Sequence, residues 1–143
     1  MNEWRFSTFD KTLDKTNRVL KEIESAYGWP KERRNQSYEV LRVVLHTLRD
    51  RLTIDEAAQL GAQLPLLIRG VYYEGWDPSR VPQKMDREEF LQRVRENVRY
   101  RIEGGTEHLV RVVLQALRHY VSEGEWADVR SSVPADVRAV IPA

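Results

Sequence analysis

Three histidines, His46, His108 and His119, are the residues best suited to proton transfer or metal binding, and their spacing builds neither. None has a glutamate three positions earlier, so the Glu-x-x-His pattern that di-iron bundles use is missing. His46 and Asp50 stand one helical turn apart, a single pair where a zinc ion wants three or four ligands. The chain has no cysteine, which removes disulfides, thiolate metal sites, iron–sulfur ligation and a cysteine nucleophile. There is no glycine-rich phosphate loop, no Gly-x-Ser-x-Gly turn and no Ser–His–Asp order. The acidic residues are spread along helix faces and offer no obvious pair of carboxylates with separated pKa values. The expectation is a protein without a catalytic residue, metal or cofactor.

Two groups of residues suit recognition better than chemistry. The first is Leu66, Leu67, Tyr72, Tyr73 and Trp76, a candidate interaction surface whose aromatic rings combine a large apolar body with a polar handle. The same rings could instead seal a seam inside the molecule. The second is a candidate basic patch, Arg93, Arg95, Arg99 and Arg101, within the arginine-rich stretch that begins at Arg80. Arg99 and Arg101 are expected in the last turn of a helix, where cations meet the negative end of the dipole. Arg42 and Arg49 lie seven apart on one helical face, and Arg111 and Arg118 repeat the arrangement. Their stems should cover the edge of the core while the guanidiniums pair with acids such as Asp55, Glu56 or Glu125, or bracket an anionic partner.

Charge weighs against nucleic acid. The 23 basic and 22 acidic residues leave a formal net charge of +1, without the cation surplus that displaces counterions from phosphates. The turn at Leu64-Pro65 could suggest a helix-turn-helix, but the segment after it reads Pro-Leu-Leu-Ile-Arg-Gly-Val-Tyr. A base-reading helix must present polar side chains, and this one is apolar.

The elements that position these residues come from an internal repeat. Residues 41–71 align without a gap on 110–140, an offset of 69 at which 11 of 31 positions are identical. Leu41, Val44, Leu45, Leu48 and Leu52 recur at helical spacing, as do Val110, Val113, Leu114, Leu117 and Val121. Each stripe meets a capping box, Thr53-Ile-Asp-Glu56 or Ser122-Glu-Gly-Glu125, then a short helix and a proline, Pro65 or Pro134, that opens another. Ahead of the first copy, Phe9, Leu13, Leu20, Ile23 and Tyr27 form a stripe closed by Gly28. Ahead of the second, Asp86 and Glu89 form a capping box with Met85 and Phe90 as its hydrophobic staple. Phe90, Leu91, Val94, Val98 and Ile102 continue that helix to Gly104-Gly105.

These patterns predict an all-α helical bundle of about eight helices in one domain over 1–143. It is built from two similar units, about 8–76 and 86–141, joined by a linker at about 77–85. The third and fourth helices of each unit should be short, and the two units should share one core. Leu, Ile, Val and Phe make up more than a quarter of the chain, enough to fold a domain of this length. The N-terminus, Met1-Asn2-Glu3-Trp4-Arg5, lacks the features of a signal peptide, and no apolar run approaches a membrane span. A cytoplasmic protein is the expectation.

The run Thr53-Ile-Asp-Glu-Ala-Ala-Gln-Leu-Gly-Ala-Gln-Leu-Pro-Leu-Leu-Ile-Arg-Gly-Val-Tyr-Tyr-Glu-Gly-Trp-Asp-Pro78 follows Leu41-Arg-Val-Val-Leu-His-Thr-Leu-Arg49. Together they resemble the bacterial family called domain of unknown function 2267. Leu117-Arg-His-Tyr-Val-Ser-Glu-Gly-Glu125 and Val133-Pro-Ala-Asp136 are similar to that family's second half. The resemblance runs from about residue 9 onward and implies an all-helical bacterial protein, with no catalytic or ligand residues to carry over. The functional expectation is a non-enzymatic interaction or scaffold module that binds a protein partner or itself, as a homodimer. The alternatives are nucleic-acid or acidic-partner binding through the 80–101 segment, or a small-ligand binder or enzyme with a pocket between the units.

Overall fold

A computed structural model describes residues 6–143. The N-terminal stretch 1–5, expected to lack a signal peptide, lies outside the described residues. Among those described there are eight α-helices and no strand. They are α1 (Ser7–Tyr27), α2 (Arg34–Arg51), α3 (Ile54–Gln63), α4 (Leu66–Tyr73), α5 (Arg87–Asn97), α6 (Gly105–Arg118), α7 (Glu123–Ser131) and α8 (Ala135–Arg138). No helix is long and apolar enough to cross a membrane.

Helix α2 is the axis of the fold. Val40, Leu41, Val43, Val44, Leu45 and Leu48 bury it on several sides, and it packs against α1, α4, α5 and α6. A helix wrapped this way must also bury polar side chains, and the charged ones find partners. Glu39 takes Arg99, Asp50 takes Arg49 and Arg93, and Ser37 donates to Glu24, which also holds Arg34. Helix α6 packs on α1 and α2, and α3 packs on α7. The stripe Val110, Val113, Leu114, Leu117 and Val121 is fully buried, as its spacing predicts.

The helix ends follow local chemistry. Gly28 adopts φ 70°, and the amides of Gly28 and Trp29 bond back to Ser25 and Glu24, closing α1 in a Schellman turn. Trp29 then stacks on Tyr27 with ring centroids 4.4 Å apart. Asp86 and Glu89 form a complete capping box at α5, with Met85 and Phe90 buried behind it. Trp126 of α7 is buried, donates from Nε1 to the Pro142 carbonyl at 2.7 Å, and lies beneath the Arg118 guanidinium.

Three expectations need correction. The boxes at Thr53 and Ser122 are only half formed: each hydroxyl accepts from its glutamate amide, but neither glutamate returns the bond. Gln63 Oε1 accepts from the Ser122 amide instead, and the glutamate side chains turn inward. Helix α5 stops at Asn97, not at the glycines, because the buried carboxylate of Glu39 captures both the backbone amide and the guanidinium of Arg99. The stripe of α1 does not all face the core: Val19, Leu20 and Ile23 are buried, whereas Phe9 and Leu13 are 55% and 46% exposed.

Candidate functional site

The N-terminal half of α1 runs beside the start of α4. Pro65 precedes α4 in an extended conformation, leaving the first amides of that helix to be satisfied elsewhere, and Thr12 Oγ1 accepts from the Leu67 amide at 2.9 Å. That bond brings two apolar runs together at the surface. Phe6, Phe9 and Leu13 lie on one side of it, with Phe6 and Phe9 packed edge to face. Leu66 and Leu67, 56% and 41% exposed, lie on the other. Isolated exposed apolar residues are ordinary, whereas here five large ones lie on adjoining segments of α1 and α4.

The aromatic members of the predicted surface behave differently. Tyr72 is completely buried and its hydroxyl donates to the Ala57 carbonyl at 2.7 Å, so it is a core residue and not part of an accessible face. Tyr73 is half-buried with its ring laid over Gly61 of α3, where an added Cβ would overlap it. Trp76, also half-buried, tilts against Tyr73 with centroids 5.3 Å apart, and its indole N–H is buried without an acceptor. The exposed surface therefore extends from Leu66 and Leu67 toward α1, not toward Trp76. Phe9 and Leu13 were missed because their spacing fits a core stripe, and only the position of α4 leaves that end of α1 uncovered.

The basic residues do not act as one patch. Arg93 donates to Asp50 and to Gln83, and Arg99 is held by Glu39. Arg95 and Arg101 are exposed, on either side of the point where α5 has ended. Arg99 and Arg101 thus lie in the loop after the helix and not in its last turn.

Arg42 and Arg49 also depart from expectation. Arg49 is buried, donates from Nε to Asp50 at 2.8 Å, and from Nη1 to the carbonyls of Tyr72 and Glu74. It has no share in the Asp55, Glu56 or Glu125 carboxylates. His46 is half-buried and bonds through Nε2 to the Val71 carbonyl at 2.7 Å. Burial lowers its pKa, and the neighbouring Arg49 and Arg42 charges act in the same direction. Arg42, His46, Arg49, Asp50 and Arg93 line a cavity of about 430 Å³ together with the 75–83 segment.

The carboxylate pair that spacing did not reveal is Glu56 with Glu125. Packing of α3 on α7 brings the two together, and each has a buried carboxyl oxygen without a hydrogen-bond partner. Burial raises the Glu125 pKa, the Glu56 carboxyl raises it further, and it is pushed up to about 8. A proton held on Glu125 removes one of two like charges from this contact. The residues are equivalent under the 69-residue offset, so alignment of the repeat with itself carried the signal. Among the described residues no group of three or more potential metal ligands gathers around them or elsewhere.

A family model described as "Uncharacterized conserved protein (DUF2267)" matches residues 16–140, starting later than the residue 9 suggested by the motifs. No curated protein matches the chain.

Proposed function

The chain belongs to the DUF2267 family, and from that starting point we propose that it is a non-enzymatic cytoplasmic interaction module, binding a protein partner or a second copy of itself through the α1–α4 surface. The observation that carries this reading is the exposure of Phe6, Phe9, Leu13, Leu66 and Leu67 on adjoining turns. Water contact with so much aliphatic and aromatic surface is unfavourable, at roughly 25 cal/mol per Å², and a partner would relieve it. The reading includes two helical units, 8–76 and 86–141, joined by 77–85. Its support is that Arg69 bonds the carbonyls of Gly61 and Leu64 while Arg138 bonds those of Arg130 and Val133, each acceptor 69 residues on.

The test is a Leu66→Glu/Leu67→Glu variant, placed where both side chains are exposed so that folding survives, checked by circular dichroism. Sedimentation and capture from lysate are then compared with wild type. The expected outcome is a wild-type dimer that the variant dissolves, or a specific protein retained by wild type and lost from the variant. A monomeric wild type retaining nothing that the folded variant fails to retain would sink the reading.

A further inference from the structure

We propose that the cavity bounded by α2, α5 and the 75–83 segment is a binding site for a small oxyanion, the phosphoryl or carboxylate head group of a small molecule. The volume of about 430 Å³ lies within the range of small-molecule sites. Its charge is biased one way. Four guanidiniums line it, from Arg42, Arg49, Arg80 and Arg93, against two carboxylates, Asp50 and Asp77. A recess lined by excess charge of one sign focuses its field on a counter-ion.

The cations play different parts. Arg49 and Arg93 are anchored on Asp50, Arg49 further by backbone carbonyls and Arg93 by Gln83, so they form a fixed floor. Arg80 stands at the rim, its side chain 78% exposed and 3.5 Å from Asp77. Arg42 is the group left over. It is half-buried, and among the described residues no acceptor or acid is paired with it. With no protein acceptor occupying it, its planar fork is free to take phosphate or carboxylate oxygens. The residue 69 positions on, Arg111, is engaged by Glu107 and the Ala139 carbonyl, so the lack of a partner is particular to Arg42. Beside it His46 has its Nε2 engaged by Val71 and is biased toward the neutral form, adding a polar wall without a competing anion.

The test is a titration of the full chain followed by amide and arginine-side-chain NMR, in a buffer without oxyanions, with inorganic phosphate in one arm and succinate in the other. The expected result is saturable shifts at Arg42, Gly75 and Asn97, with the responding arm identifying the head group. Arg42→Gln should weaken that binding at least about tenfold, as loss of a charge-assisted pair requires. Arg111→Gln should leave it unchanged, and Arg80→Gln, at an exposed site, should weaken it less. Absence of saturable shifts in both arms overturns the proposal, as does an Arg42→Gln protein that binds like wild type. Should Arg42→Gln fail to fold, Arg80→Gln decides: unchanged affinity there overturns the site.

Discussion

Glu125 keeps its proton well into the range where a surface glutamate has lost it, because burial and the Glu56 carboxyl both oppose its charge. A carboxyl whose folded pKa lies above its unfolded value contributes stability that is complete at low pH and lost as pH rises. Between the ordinary value of 4.5 and about 8, the unfolded chain releases a proton that the folded chain retains. Stability should therefore fall across that window with a limiting slope of about 1.4 kcal/mol per pH unit. Glu125→Gln should flatten this dependence and raise the melting temperature at mildly alkaline pH, measured by thermal denaturation across the range. A wild-type midpoint independent of pH there would show that the pair is not buried as described. Gly61 carries a second consequence at this scale. Gly61→Ala should displace the Tyr73 ring from its place against Trp76, read as a change in near-UV circular dichroism, whereas Gly70→Ala, with open space around it, should not. Neither effect was legible in local spacing. Glu56 and Glu125 read as capping partners of the residues three positions before them, and their encounter depends on where α7 lies. Tyr73 read as a seam or a surface residue, and its neighbour Gly61 is twelve positions away.

At the scale of the helix, period and capping chemistry were informative and the ends less so. The buried stripes of α2 and α6, the Schellman turn at Gly28 and the complete box at Asp86 all follow from residue type and spacing. The half boxes still matter: Thr53→Ala and Ser122→Ala should each cost about 0.5–2 kcal/mol, since each hydroxyl satisfies a first-turn amide. Equilibrium unfolding of the two variants checks this. The overrun of α5 was not legible because Val98 and Ile102 continue a helical period, while the group that stops the helix, Glu39, is distant in sequence. Glu39→Gln should weaken the hold on Arg99, and hydrogen exchange should report faster exchange of the Arg99 amide than in wild type, with α2 unchanged. Unaltered protection of that amide would mean that Glu39 is not what ends α5.

For the whole molecule, the all-helical class was legible from composition and helical period, whereas the surface was not. Core positions are set by period, but exposure depends on which helix fails to be covered, as at Phe9 and Leu13. The packing of α1 against α6 and of α2 against α5 and α6 makes the halves interdependent. A fragment ending at residue 80 would lose these partners, and should lack a cooperative thermal transition in circular dichroism; a sharp one would contradict the shared core. The tryptophans offer a way to watch the halves separately. Trp29 lies face to face with a phenol of the first helix, and Trp126, on the seventh helix, lies under a guanidinium of the sixth. Their excited states thus sit in different surroundings at two places in the bundle, so variants retaining one indole at a time turn the protein into its own optical reporter of which region opens first.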